Sequence, residues 1–173
     1  MPDTMFDILP IEGEIQRDRG AVTQRPIEEL AAAIQNVLNV PEITGVRWQQ
    51  YTPYFMDGDP CIFGVSGIQL VLTDVPLEDD GTPREEGDFG DPHIVEYIDR
   101  PWTDLAGGPF YDRENRTWEY RPGTNAIATL YVPEFVAEIN SGAHNVKLQE
   151  LFGDNACVTA TAEKFVVEYW EHD

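Results

Sequence analysis

Any fold open to this chain must keep a formal charge of −21 in contact with water, because 32 Asp and Glu residues face only 11 Lys and Arg. Moving an unpaired carboxylate into an apolar interior costs far more than a typical contact returns. The carboxylates therefore have to line the surface, and the core has to come from what remains. What remains is sufficient: 42% of the chain is apolar, with 4 Trp, 7 Tyr and 8 Phe. That content separates the chain from disordered acidic tails. Its 173 residues read as a single domain, 1–173, able to bury roughly 70% of its unfolded surface without metals or disulfides.

The same balance selects partners. Affinity for nucleic acid comes from neutralising phosphates with cationic side chains, and anionic lipid makes the same demand. The composition thus predicts no nucleic acid and no membrane partner. A basic protein surface is the electrostatically matched one. The opening stretch, MPDTMFDILPIEGEI, lacks a cationic segment followed by an apolar one, so no secretory signal is expected. Apolar stretches such as Ile68–Leu72 are too short to cross a bilayer. These features predict a cytoplasmic chain in which Cys61 and Cys157 are two buried thiols, with a disulfide as the alternative.

Local patterns predict an α+β fold. Ile8, Leu9, Ile11 and Ile15 suit a short edge strand or an arm. Ile27, Leu30, Ile34, Val37 and Leu38 recur at helical spacing between Pro26 and Pro41, with Glu28 and Glu29 at the favourable end. Val46–Phe55 and Cys61–Asp74 are β-prone runs flanking Met56-Asp57-Gly58-Asp59-Pro60, which is turn chemistry, so they read as a hairpin. Gly64 and Gly67 suggest a bulge. Residues 75–92 read as an acidic surface loop, punctuated by Gly81, Gly87, Gly90 and three prolines. His93–Ile98 suits a short strand or a helical turn, and residues 100–123 read as an irregular stretch pinned by aromatics. Thr124–Gly142 has helical spacing, with Pro133 kinking it or starting a second helix. Residues 144–153 form another short helix closed by Gly153. Ala156–Trp170 alternates like a hairpin turning near Glu163-Lys164. The sum is an antiparallel sheet of two or more hairpins packed against three or so helices.

No catalytic or cofactor motif stands out. His93, His144 and His172 show no ligand spacing and read as solvated histidines. Asp57-Gly58-Asp59 lacks the remaining ligands of a calcium loop. Ser66 lies in Gly64-Val65-Ser66-Gly67, which does not complete a nucleophile elbow, and no phosphate-binding glycine loop is present. No metal, cofactor or catalytic residue is assigned. The acid is densest from Asp74 to Asp99, where Arg84 alone opposes it. Glu78, Asp79, Asp80, Glu85, Glu86, Asp88, Asp91, Glu96 and Asp99 are the candidate partner-binding acids. Trp102 and Trp118 join them, because interfaces enrich aromatic side chains. Phe110, Tyr111 and Tyr120 extend that aromatic group.

The run Trp48-Gln-Gln-Tyr51-Thr-Pro-Tyr54-Phe55-Met-Asp57-Gly58-Asp59-Pro60-Cys61 resembles a motif of uncharacterised bacteriophage proteins, a YTPYF-x-DGDPC pattern before an apolar strand. The stretch from Leu151-Phe152-Gly153-Asp154-Asn155 through VTATAEKFVVEYWEHD is similar to the C-terminal hairpin of those proteins. The resemblance implies a phage origin and a host-cell cytoplasm, and it supplies no activity or catalytic residue.

The leading expectation is a non-enzymatic acidic protein that binds a basic host protein surface. Because DNA carries one charge per about 1.7 Å, a strip of acids can act as a DNA mimic or inhibitor at such a surface. The alternatives are a virion or assembly component, an enzyme with an unrecognised acidic site, and acid serving adaptation to high salt. The sequence specifies no oligomeric state.

Overall fold

The computed structural model describes residues 22–54, 61–74, 93–96, 105–112 and 114–169. The elements run α1 (Ile27–Leu38), β1 (Ile43–Tyr51), β2 (Gly64–Leu72), β3 (Ile94–Glu96), β4 (Gly107–Asp112), β5 (Thr117–Pro122), α2 (Ala126–Ile139), α3 (Asn145–Phe152), β6 (Ala156–Thr161) and β7 (Phe165–Tyr169). The fold is α+β. A five-stranded antiparallel sheet has the order β3-β2-β1-β6-β7, and β4 and β5 form a separate two-stranded ribbon. The expected N-terminal arm and the loop 75–92 lie outside the described residues.

β1 is the central strand, paired with β2 on one side and β6 on the other. Cover on both faces explains why its sequence alternates poorly: Val46, Arg47, Trp48 and Gln50 are all buried. One sheet face carries Val46, Trp48 and Gln50, with Ala160, Val158 and Ala156 opposite them on β6. The apolar members of that face join Leu30, Ile34 and Val37 of α1, Val132 and Phe135 of α2, and Leu148 of α3 in one core. The other face is polar at the corresponding centre. There Arg47 reaches Thr159 at 3.5 Å and Glu168 at 3.2 Å, spanning two neighbouring strands.

The expected bulge is present in β2. Between the pairs Arg47↔Gln69 and Gln49↔Ser66, β2 advances one residue more than β1. Gly67 takes φ +54° there, and a Cβ on it would lie 2.7 Å from Gln49 Oε1, so a side chain at this position would be strained and would displace Gln49. α2 starts where Asn125 Oδ1 accepts the N–H groups of Ile127 (2.9 Å) and Ala128 (3.1 Å), a side-chain N-cap. Asn125 Nδ2 also donates to Glu42 Oε2 at 3.0 Å, tying the cap to the turn before β1. α2 then continues through Pro133 to Ile139, so no second helix begins at the proline.

Two expectations are corrected. Residues 107–122 form a regular hairpin, not an irregular stretch. Its turn is closed by Asp112, whose carboxylate accepts from Glu114 N–H (2.8 Å), Asn115 N–H (3.1 Å) and Asn115 Nδ2 (2.7 Å). Arg116 supplies the positive φ, 53°, that a glycine commonly provides. The cysteines also differ from a buried pair: Cys157 is buried and Cys61 exposed.

Trp48 and Gln50 hold sheet and α3 together. Trp48 Nε1 donates to Gln50 Oε1 at 3.1 Å, and Gln50 Nε2 donates to the carbonyls of Leu148 (3.1 Å) and Gly153 (2.6 Å). Gln50→Leu keeps much of the side-chain volume but strands the Trp48 indole N–H and removes both bonds to α3. A buried orphan costs about 1–3 kcal/mol, so urea unfolding of this variant should show a loss of about 2 kcal/mol or more. A loss within the error of the midpoint would mean that the amide is not a structural link.

Candidate functional site

Most of the acids chosen from the sequence, namely Glu78, Asp79, Asp80, Glu85, Glu86, Asp88, Asp91 and Asp99, lie outside the described residues, as does Trp102. Glu96 ends β3, its backbone opposite Gln69, and its side chain lies outside the description. Trp118 is on β5 and is 72% exposed. The described residues therefore place the side chain of one member of the candidate set, Trp118, and the structure shows what surrounds it.

In the β4–β5 ribbon, Tyr111 stands opposite Trp118 and Pro109 opposite Tyr120. Residues two apart on a strand share a face, and so do directly paired residues. Pro109, Tyr111, Trp118 and Tyr120 therefore form one side of the ribbon. Tyr120 is 64% exposed and Tyr111 45%. The Tyr111 and Trp118 rings meet edge to face at 5.5 Å and 62°, a contact that contributes about 0.5–1.5 kcal/mol and orders both rings. The base of the ribbon is anchored where Asn125 N–H donates to Leu105 O at 2.9 Å. Gly123 makes that approach possible, since a Cβ on it would lie 2.4 Å from the same carbonyl oxygen. The ribbon's own charges are mixed, Asp112, Glu114 and Glu119 with Arg113, Arg116 and Arg121.

A second cluster joins the helices. His144 is buried, contrary to the expectation of solvated histidines, and its Nε2 meets Glu138 Oε1 at 2.5 Å. Arg25 closes the set, 2.7 Å from Glu138 and 2.8 Å from Glu29. Burial pushes the Glu138 carboxyl up, but the hydrogen bonds from His144 and Arg25 outweigh it and hold the carboxyl below its usual range. Glu138 lines a groove of about 280 Å³ with Glu29, Asn36 and Glu134 between α1 and α2. The imidazole has no exposed surface behind Glu138, so in this arrangement it fastens α2 to the start of α3 and does not face the groove. The segment before α1 is latched to the same place by Arg25 N–H to Ala143 O (2.8 Å) and by Gln24 to Gly142 O (3.0 Å) and Val146 N–H (3.1 Å).

A third feature lies at the far edge of the large sheet. β7 is exposed along its whole length, including Phe165, Val166, Val167 and Tyr169. Beside it, a purely apolar cavity of about 250 Å³ opens between α1, α3 and β7, with Trp48 and Leu30 at its floor and Leu151, Phe152 and Phe165 at its rim. Asp154 steadies the turn nearby. Its burial is outweighed by hydrogen bonds from the Thr52 hydroxyl and N–H, both 2.7 Å, and from Asn155 N–H and Gln149, so its carboxyl is also held low. The apolar run Phe165–Val167 was the visible sequence signal for an open edge, while the cavity, built from three separate elements, had none.

Among the described residues, no group of three or more His, Cys, Asp and Glu is placed to hold a metal ion, and no helix is long and apolar enough to cross a membrane. No protein-family model matches the chain, and neither does any curated protein or solved structure.

The Glu138 cluster predicts an acid limb. A carboxyl held low in the fold contributes stability that is present above its unfolded value, about 4.3, and is lost as pH falls through the folded value. Glu138→Gln should lower stability at neutral pH and flatten the decline below about pH 4.3. Thermal unfolding across that range tests this, and an unchanged acid limb would remove Glu138 from the account.

Proposed function

We propose that this chain is a non-enzymatic, acidic binding protein of phage type that occupies a basic surface on a host protein in the host cytoplasm. The observation that carries the reading is the exposed aromatic side of the β4–β5 ribbon, formed by Pro109, Tyr111, Trp118 and Tyr120 on a chain of formal charge −21. The two properties act at different distances. The net charge steers a cationic surface toward the chain and raises the encounter rate, while the aromatics supply contact energy once it arrives. Trp and Tyr rings also stack with Arg and Lys side chains, at about 0.5–2 kcal/mol each. A basic surface that otherwise binds DNA is one target of this kind, which is the sense in which the chain acts as a mimic or inhibitor.

Affinity capture from a bacterial lysate, repeated at low and high salt, tests the proposal. The retained protein should have a basic surface, should be lost as salt rises, and should be displaced by DNA if the surface is a DNA site. The double variant Trp118→Ala, Tyr120→Ala should weaken retention about tenfold or more, the loss of roughly 1.4 kcal/mol, while the chain stays folded and loses no more than the about 0.5–1.5 kcal/mol of the Tyr111–Trp118 contact. Retention of an acidic protein, or retention unaffected by both salt and the double variant, would contradict it.

A further inference from the structure

We propose that the open edge of β7 takes an extended cationic segment of the binding partner as a sixth strand, with one apolar side chain of that segment entering the cavity beside Phe165. The inference rests on the basic-partner reading above and adds the place and mode of recognition.

The backbone geometry identifies which groups are open. Thr161 N–H donates to Lys164 O at 3.0 Å, so Thr161 and Lys164 are a hydrogen-bonded pair. In an antiparallel ladder such pairs alternate with non-bonded ones. Thr159↔Val166 and Cys157↔Glu168 then carry the ladder bonds, while Phe165, Val167 and Tyr169 turn their N–H and C=O groups away from β6. Among the described residues β7 pairs only with β6. Among the described residues nothing covers β7, which is five residues of mainly aromatic and β-branched type, exposed on both faces.

The side chains complete the site. Phe165, Val167 and Tyr169 stand opposite Ala160, Val158 and Ala156, which lie on the core side of β6. A strand added at this edge would place alternate side chains on the same side, next to the apolar cavity. That cavity, about 250 Å³, falls below the 300–1,000 Å³ common for small-molecule sites. Its size suits a single anchoring side chain, as in strand addition generally, where main-chain bonds give affinity and pockets give selectivity.

Charge decides the occupant. A second copy would bring another −21 to the same edge. From α3 to the end of the chain, Glu150, Asp154, Glu163, Glu168, Glu171 and Asp173 outnumber Lys147 and Lys164, and Lys147 is already paired with Glu150 at 2.9 Å. An incoming segment with Lys or Arg flanking its apolar anchor matches that field.

The test uses the full chain and a short synthetic peptide in which Leu alternates with Arg, together with the same peptide carrying Glu in place of Arg. The Arg peptide should bind, and the Glu peptide should not. Hydrogen exchange on the unmodified protein should then slow at the amides of Phe165, Val167 and Tyr169 on binding, while Val166 and Glu168, already bonded to β6, change little. Val167→Pro removes an outward donor and leaves the β6 ladder bonds in place, so it should weaken the peptide about tenfold. Phe165→Ala should weaken it through the cavity. Four results overturn the proposal: no binding of the Arg peptide, equal binding of the Glu peptide, binding untouched by Val167→Pro, or concentration-dependent protection of β7 without peptide, which would assign the edge to a second copy. If the proline variant does not fold, the exchange pattern decides. Lysate capture that depends on Trp118 and Tyr120 but survives alongside a failed peptide would remove the β7 site alone and leave the wider reading standing.

Discussion

Trp48 sits on the central strand with no exposed surface, and an indole N–H can be buried there only because Gln50 accepts it. That pair has consequences beyond the sheet. The other end of the Gln50 amide bonds to the Leu148 carbonyl in the middle of α3 and to the carbonyl of Gly153, its C-cap residue, where the helix ladder has ended. α3 is eight residues long, short for independent stability, and a buried side chain of β1 holds its C-terminal turn. With α3 fixed, Phe152 meets Trp48 at 5.9 Å and Phe165 at 5.1 Å. A ring relay thus runs from the middle of the sheet to its open edge, and the shape of the cavity beside β7 follows from it.

The charge imposes the complementary constraint. The described carboxylates with ion-pair partners are few and mostly on the surface, where such pairs contribute little. Glu138 is the exception: 19% exposed, it is paired with both Arg25 and His144. Removing one partner of a group buried this far costs more than the pair itself contributes. Two described arginines also tie elements together. Arg25 fastens the start of α1 to α2, and Arg47 spans β1, β6 and β7.

The parts of the fold legible in the sequence were those governed by near neighbours. Leu30, Ile34 and Val37 mark the buried stripe of α1, Gly67 marks the bulge, and Gly153, with φ 82°, ends α3. The β4–β5 hairpin was not legible because its turn is made by a side chain. Asp112 folding back on Glu114 and Asn115 does the work of a glycine dipeptide, and Arg116 rather than glycine takes the positive φ. His144 was misread for a different reason. Its partners lie at positions 138 and 25, and no local pattern shows that a helix junction will close around an imidazole. Of the candidate site, Trp118 was visible as an exposed aromatic in a polar stretch. Its pairing with Tyr111, and the shared side with Pro109 and Tyr120, required the register.

On the proposed reading, the two candidate surfaces would divide the work of recognition. The ribbon belongs to a separate two-stranded sheet, and a lone two-stranded ribbon is marginal by itself. Its side chains present ring faces and edges, which tolerate many partners and fit a surface contact. The β7 edge belongs to the main sheet, backed by β6 and the Trp48 core, so its backbone groups are held in place before any partner arrives. Preorganised donors and acceptors lose little entropy on binding, and they demand an extended segment in one register. A chain of this charge attracts cationic surfaces without discrimination. On the proposed reading selectivity would have to come from a feature that charge does not supply, and among the described residues the β7 edge, with its outward main-chain groups beside the apolar cavity, is the feature that demands one register.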